Sequence, residues 1–247
     1  MKYVFQVFAL TLAGLLVVGT ILHTVVTVFK VETTLVQVLF VEEILLIGLI
    51  LLLNRYWWKE KLLFEKYSVG KSIGLLAYAG AYALLAIGGA IVKGRPLGLV
   101  FLYLTTALCV GFFEEYVFRG LILGGLIARG KSIAFAIVVS SVLFGLLHGI
   151  NVLHNNPMQV LLQMLYVIPM GILFALIYLK SNNLLYVMIT HAMVDFSAFT
   201  LSNGSVNSSG QTIQGVFVLS LFFATLIIPF WLTGKTQFAK FRERIQK

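Results

Sequence analysis

Long apolar runs separated by short polar breaks organise this chain, at about 4–29, 33–53, 72–92, 97–127, 132–150, 159–179, 184–200 and 214–232. Each is near the ~20 residues that a helix needs to cross a bilayer. Backbone facing lipid has to satisfy its own hydrogen bonds, so each run predicts a membrane-spanning helix. The pattern predicts an all-α polytopic membrane protein of about eight transmembrane helices, with residues 1–247 forming a single integral membrane domain. The first run has no small-residue cleavage pattern leading into a soluble sequence, so it reads as a span and not as a removed signal peptide. The breaks are Lys93-Gly94-Arg95-Pro96, Arg129-Gly130-Lys131, Asn151 to Pro157, and the Ser/Asn/Gly stretch Ser202 to Gly210. No internal repeat is evident.

Composition agrees with the pattern. Of 247 residues, 60% are apolar and 11% charged, whereas a soluble domain carries roughly 25% charged residues to keep its surface wet. One cysteine, Cys109, within an apolar run excludes a disulfide scaffold. The net charge of +9 becomes informative once it is placed. With a cytoplasmic N-terminus, the inside segments hold Lys2; Arg55, Lys59, Lys61, Lys66 and Lys71; Arg129 and Lys131; Lys180; and Lys235, Lys240, Arg242, Arg244 and Lys247. The outside loops hold Lys30, Lys93 and Arg95. This bias predicts that both termini are cytoplasmic, with the basic excess contacting anionic membrane lipid. No aromatic-interleaved basic patch points to nucleic acid. Tyr56, Trp57 and Trp58, at the end of the second run, read as an interfacial aromatic belt.

A charge at bilayer depth costs at least ~2.5–3.5 kcal/mol, so each one needs a partner or a task. The ionisable residues within the runs are His23, Glu42, Glu43, Glu114, Glu115, Arg119, His148, His191 and Asp195, the last being the only aspartate of the chain. Glu115 and Arg119 stand i,i+4 with the acid first, the favourable order for an intrahelical ion pair. Glu114 is rotated by about 100° from Glu115 and faces elsewhere. Phe144 and His148 share a helix face, as do His191 and Asp195. The latter pair suits a histidine held in one tautomer by a carboxylate one turn away. Runs four and five form a hairpin about Gly130 that brings Glu114 and His148 to heights differing by only ~3 Å. His191 and Asp195 rise from the same side to the same level. Two carboxylates and two imidazoles converging inside a bilayer predict a reactive site within residues 97–200. His23 and the loop residue His154 read as helix-to-helix hydrogen bonds. Glu42 and Glu43 have three open readings: pairing with Arg119, lining a water-filled cavity, or lying nearer an interface.

In these residues the sequence resembles the CPBP family (CAAX proteases and bacteriocin-processing enzymes, also called Abi), which includes the prenyl-protein endopeptidases. The family is marked by EExxxR, FxxxH and a third HxxxN or HxxxD-like motif on separate helices. Here these are Glu114-Glu115 with Arg119, Phe144 with His148, and His191 with Asp195, in order within residues 114–195. The resemblance implies an intramembrane endopeptidase acting on a membrane-associated peptide or protein. Glu114 would be the general base and His148 would hold the same water. His191 would be the oxyanion donor oriented by Asp195, and Glu115 and Arg119 would position the helix. It implies glutamate-activated water and no cofactor, against a rival in which Glu114, His148 and His191 hold Zn²⁺ with an open water position. The prenyl-protein members carry Asn where this chain has Asp195, and an Asn can donate a hydrogen bond that an ionised Asp cannot. The compact basic chain resembles the bacterial branch, which implies a bacterial plasma membrane and links to bacteriocin immunity or peptide maturation. The alternative is a non-catalytic membrane immunity or binding protein that retains the same residues.

Overall fold

The computed structural model describes residues 1–66, 69–204 and 212–247, with side chains of the third helix described from residue 72. Lys71 and most of the Ser202 to Gly210 loop, both invoked above, therefore lie outside the described side chains. The helices are α1 (Lys2–Val28), α2 (Leu35–Leu53), α3 (Val69–Val92), α4 (Leu97–Glu115), α5 (Gly125–Ala128), α6 (Ile133–Leu147), α7 (Pro157–Ser181), α8 (Leu184–Ser202) and α9 (Ile213–Gln246). Two π segments, Asn54–Trp58 and Tyr116–Gly124, continue α2 and α4, and a 3₁₀ segment, His148–Leu153, continues α6. Among the described residues, eight helices are long and apolar enough to span a membrane, and large apolar side chains such as Leu84, Ile91, Phe101 and Phe217 are exposed on them. An exposed apolar surface of this extent is stable only against lipid. The protein is an all-α integral membrane protein.

Local chemistry sets the helix ends. Thr34 and Gln37 form a capping box at the start of α2, and Ser132, Asn156 and Thr212 cap α6, α7 and α9 through their side-chain oxygens. Pro157 occupies the first turn of α7, where its missing N–H has no helical partner to lose. Asn182 ends α7 in the left-handed region at φ 54°, a conformation that asparagine tolerates better than most residues.

The described residues form two compact units, with boundaries inside the α4–α5 span between Val117 and Phe118 and inside α8 between Val187 and Met188. The first unit holds α1, α2, α3, α4 and most of α8. Its core packs Val36 of α2, Ala86 of α3, Tyr103 and Ala107 of α4, and Phe196 and Phe199 of α8. At Gly111, α4 lies directly on the backbone of α8, because a Cβ there would stand 2.8 Å from the Met188 carbonyl oxygen and 2.9 Å from the Ala192 nitrogen.

The second unit holds residues 60–66, the chain from Phe118 through α7, and α9. Here α7 is buried along a continuous run from Leu173 to Leu179. Gly145 of α6 admits close approach to α7, since a Cβ there would stand 2.5 Å from Ile168. The 60–66 segment lies against the α7–α8 turn: Glu65 N–H donates to Asn182 O at 3.0 Å, Leu184 N–H to Leu63 O at 2.9 Å, and the Asn183 amide to Glu65 O at 2.8 Å. Polar backbone outside a helix is thereby satisfied by protein.

One sequence expectation is corrected within the second span. Tyr56 and Trp57 are exposed as an interfacial belt requires, but Trp58 is buried. The π segment carries one more residue per hydrogen-bonded turn than an α-helix, and its first and last residues, Asn54 and Trp58, are the two buried ones.

Candidate active site

In the first unit, α4 and α8 present four of the sequence-predicted residues to one another. Glu115, the last residue of α4, is fully buried, and its Oε1 accepts a hydrogen bond from His191 Nδ1 on α8 at 2.8 Å. A carboxylate only accepts, so the proton on this ring nitrogen is fixed by its partner. The other nitrogen, Nε2, stands 3.4 Å from Asp195 Oδ2 and 3.6 Å from Glu114 Oε2. His191 is thus flanked by carboxylates at both nitrogens. The side chains of Glu114 and Asp195 retain 15% and 24% exposure, while those of Glu115 and His191 are nearly inaccessible. The two more accessible carboxylates are the ones beside Nε2.

This geometry adds a role for Glu115, which helical spacing read as the i,i+4 partner of Arg119: it also holds His191. The imidazole is therefore oriented by a carboxylate on another helix, in addition to Asp195 on its own.

The remaining sequence-predicted residues lie in the second unit. Arg119, fully buried, donates from Nη2 to Gly171 O at 3.1 Å. Its guanidinium carbon stands 4.3 Å from the Phe144 ring centroid and 5.5 Å from that of Phe174. An arginine on an aromatic face is attracted by the ring quadrupole, by about 2 kcal/mol when desolvated. Phe144 also meets His148 edge-on, with ring centroids 5.0 Å apart. His148 Nδ1 lies 2.9 Å from Phe144 O. A carbonyl oxygen only accepts, so Nδ1 carries the hydrogen and Nε2 is left as the acceptor. The third residue past His148, Asn151, donates to Gln163 Oε1 at 2.9 Å.

Sequence reasoning missed two polar residues of the first unit. Asn54, buried at the start of one π segment, donates to the hydroxyl of Tyr116, which starts the other, at 2.8 Å. Asn54 stands beside Arg55 and the aromatic triplet, and its burial leaves no mark in the sequence. Glu43, for which three readings stood open, is 4% exposed. Glu42 turns the other way, its Oε1 standing 3.0 Å from where a Cβ on Gly19 of α1 would lie.

A family model described as Type II CAAX prenyl endopeptidase Rce1-like matches residues 96–197. The matched stretch is similar to that family. No curated protein and no solved structure matches the chain. The matched stretch contains all seven of the motif residues and ends two residues past Asp195. The match supports an intramembrane protease at the family level. Among the described residues, no group of three or more His, Cys, Asp or Glu side chains has the arrangement that would hold a metal ion.

Proposed function

We propose that this protein hydrolyses a peptide bond in a membrane-associated protein or peptide, with water activated by Glu114. The observation that carries the reading is His191, buried in a membrane span and flanked by Glu115 at one nitrogen and by Glu114 and Asp195 at the other. Peptide hydrolysis needs a base for water, a donor for the tetrahedral oxyanion and a proton for the departing amine. Glu114 is the more accessible of the adjacent glutamates and supplies the base. It takes a proton from water as the oxygen attacks the carbonyl carbon, and passes it to the amine nitrogen as the C–N bond breaks. His191 serves the oxyanion from Nε2 as an imidazolium, protonated at both nitrogens, with Glu115 at Nδ1 and with Asp195 and Glu114 beside Nε2. The motif set assigns His148 to the same water, and its tautomer supports that role by leaving Nε2 an acceptor. Arg119 anchors the segment after Glu115 by its bond to Gly171.

The Lys and Arg distribution supports cytoplasmic termini, and the family resemblance supports a bacterial plasma membrane, with peptide maturation or bacteriocin immunity as the setting. Comparative peptidomics of cells carrying wild type or Glu114→Gln tests the reading. One precursor should accumulate in the variant. If Glu114→Gln and His148→Ala, present at normal levels, retain the full cellular activity, the protein acts by binding and not by hydrolysis.

A further inference from the structure

A peptide bond open to attack is unwound, and in lipid the N–H and C=O groups so released are costly unless protein bonds them. An extended peptide is commonly held by adding a strand to a sheet edge. The described residues contain no strand, only an isolated bridge between Phe64 and Asn183. Side chains must supply the bonds here, and the second unit presents a pair that can. Asn151, in the 3₁₀ segment after α6, donates from Nδ2 to Gln163 Oε1 on α7 at 2.9 Å. The other polar atoms of the two side chains, Asn151 Oδ1 and Gln163 Nε2, bond to nothing among the described residues. Both side chains are half-buried, and neither of these atoms is sealed from its surroundings. Leu161 and Leu165, two positions to either side of Gln163, are exposed, so the pair stands at a level where α7 meets lipid. One acceptor and one donor are therefore held open together in a setting that offers them little water.

The spacing from His148 gives the pair its place. His148 and Asn151 are i and i+3 within the 3₁₀ segment His148–Leu153, where such side chains eclipse one another about 6 Å apart along the axis. An extended peptide turns the same edge outward every second residue, at about 6.4–6.8 Å. Resting on the hydrolytic reading, in which His148 holds the attacking water, we propose that Asn151 and Gln163 form a subsite for the main chain of an extended peptide, two residues from the scissile bond. Asn151 Oδ1 accepts from the N–H of that residue, and Gln163 Nε2 donates to its C=O. A residue of an extended strand presents these two groups on one side, as it does to a neighbouring strand in an antiparallel ladder. The outward acceptor opposes a phosphate or a carboxylate, so the pair selects a peptide main chain over an anionic headgroup. The subsite reads no side chain, and it tolerates any residue that leaves the backbone N–H in place.

The test uses the full-length Glu114→Gln protein in lipid nanodiscs, with the precursor peptide that accumulates in cells lacking the protein as the probe. Methylating each backbone nitrogen of the peptide in turn should weaken binding about 5- to 10-fold at one position, the scale of one lost hydrogen bond. That position should lie two residues from the bond that wild type cleaves. Adding Asn151→Leu should weaken binding of the unmodified peptide by a similar factor and remove the further loss from methylation at that position, because both delete one bond. A purely structural tie between α6 and α7 would lower the melting temperature of Asn151→Leu without this coupling. A scan with no such position overturns the proposal, as does a methylation loss that Asn151→Leu leaves undiminished. Should Asn151→Leu fail to fold, the scan on the Glu114→Gln protein decides alone. If wild type leaves the peptide uncut, the hydrolytic reading fails, and a single methylation-sensitive position that responds to Asn151→Leu still establishes the subsite.

Discussion

Gly111 offers a way to move His191 without touching it. A Cβ added by Gly111→Ala would stand 2.8 Å from Met188 O and 2.9 Å from Ala192 N, both backbone atoms of α8. Ordinary contact begins at 3.4 Å, so α4 and α8 must separate by 3.4 − 2.8 = 0.6 Å. His191 lies next to Ala192 on α8, and Glu115 lies one turn beyond Gly111 on α4. Carried to that level, the shift stretches the 2.8 Å bond between them to about 3.4 Å, outside the normal range for N–H···O bonds. Overpacking of this kind costs about 1–3 kcal/mol in stability. A weakened charge-assisted hydrogen bond adds up to about 1.5–3 kcal/mol, which corresponds to roughly a 10- to 100-fold slower reaction if His191 is the oxyanion donor. Thermal unfolding in detergent and turnover of the accumulated precursor measure the two effects. Gly80→Ala on α3 is the control, because a Cβ there meets nothing within 4 Å, and it should be neutral or more stable by about 0.5–1 kcal/mol. Combining Gly111→Ala with Glu115→Gln should give less than the product of the separate rate losses, since both act on one bond. A Gly111→Ala protein that melts and turns over like wild type would refute the coupling of α4–α8 contact to His191.

Three other outcomes follow from the geometry. Glu115→Gln should lower kcat about 10- to 100-fold with little change in KM, because it weakens the anchor of His191 while leaving substrate contacts alone; steady-state kinetics separates the two constants. Arg119→Lys should destabilise the second unit by about 3–5 kcal/mol, since an ammonium cannot stack on Phe144 while bonding Gly171 O as the planar guanidinium does; hydrogen exchange of α6 and α7 would report it. Extended dialysis against a chelator should leave cleavage intact, and stoichiometric zinc that is lost in both Glu114→Ala and His148→Ala would reverse the choice of a metal-independent mechanism.

The spans were legible in the sequence because lipid imposes a simple rule, twenty or so apolar residues bounded by polar ones, and the helices follow the runs closely. Glu114, His191 and Asp195 were also legible, read as one group with His148 and with Glu115 in support, because an ionisable residue in an apolar run is conspicuous. The bond from His191 to Glu115 was not, because it crosses 76 positions. Nor was the π segment after Glu115, since a π turn differs from an α turn only in which carbonyl the backbone N–H chooses, and no side chain between Tyr116 and Gly124 announces that choice. Asn54 and Tyr116 bond across 62 positions, a separation over which local pattern carries no information. Glu43 was visible as a charge out of place, but its burial is set by helix packing that the local pattern does not show.

Arg119 also carries a consequence for how the protein is made. Three of the groups against its guanidinium, the Phe144 ring, the Gly171 carbonyl and the Phe174 ring, come later in the chain, Gly171 by 52 residues. At about 5–20 residues per second of synthesis, the Gly171 carbonyl follows the arginine by roughly 3–10 s. The final seat of Arg119 is therefore completed only once α6 and α7 have been made, and a ribosome stalled between Arg119 and Gly171 would hold a fourth span that lacks those groups.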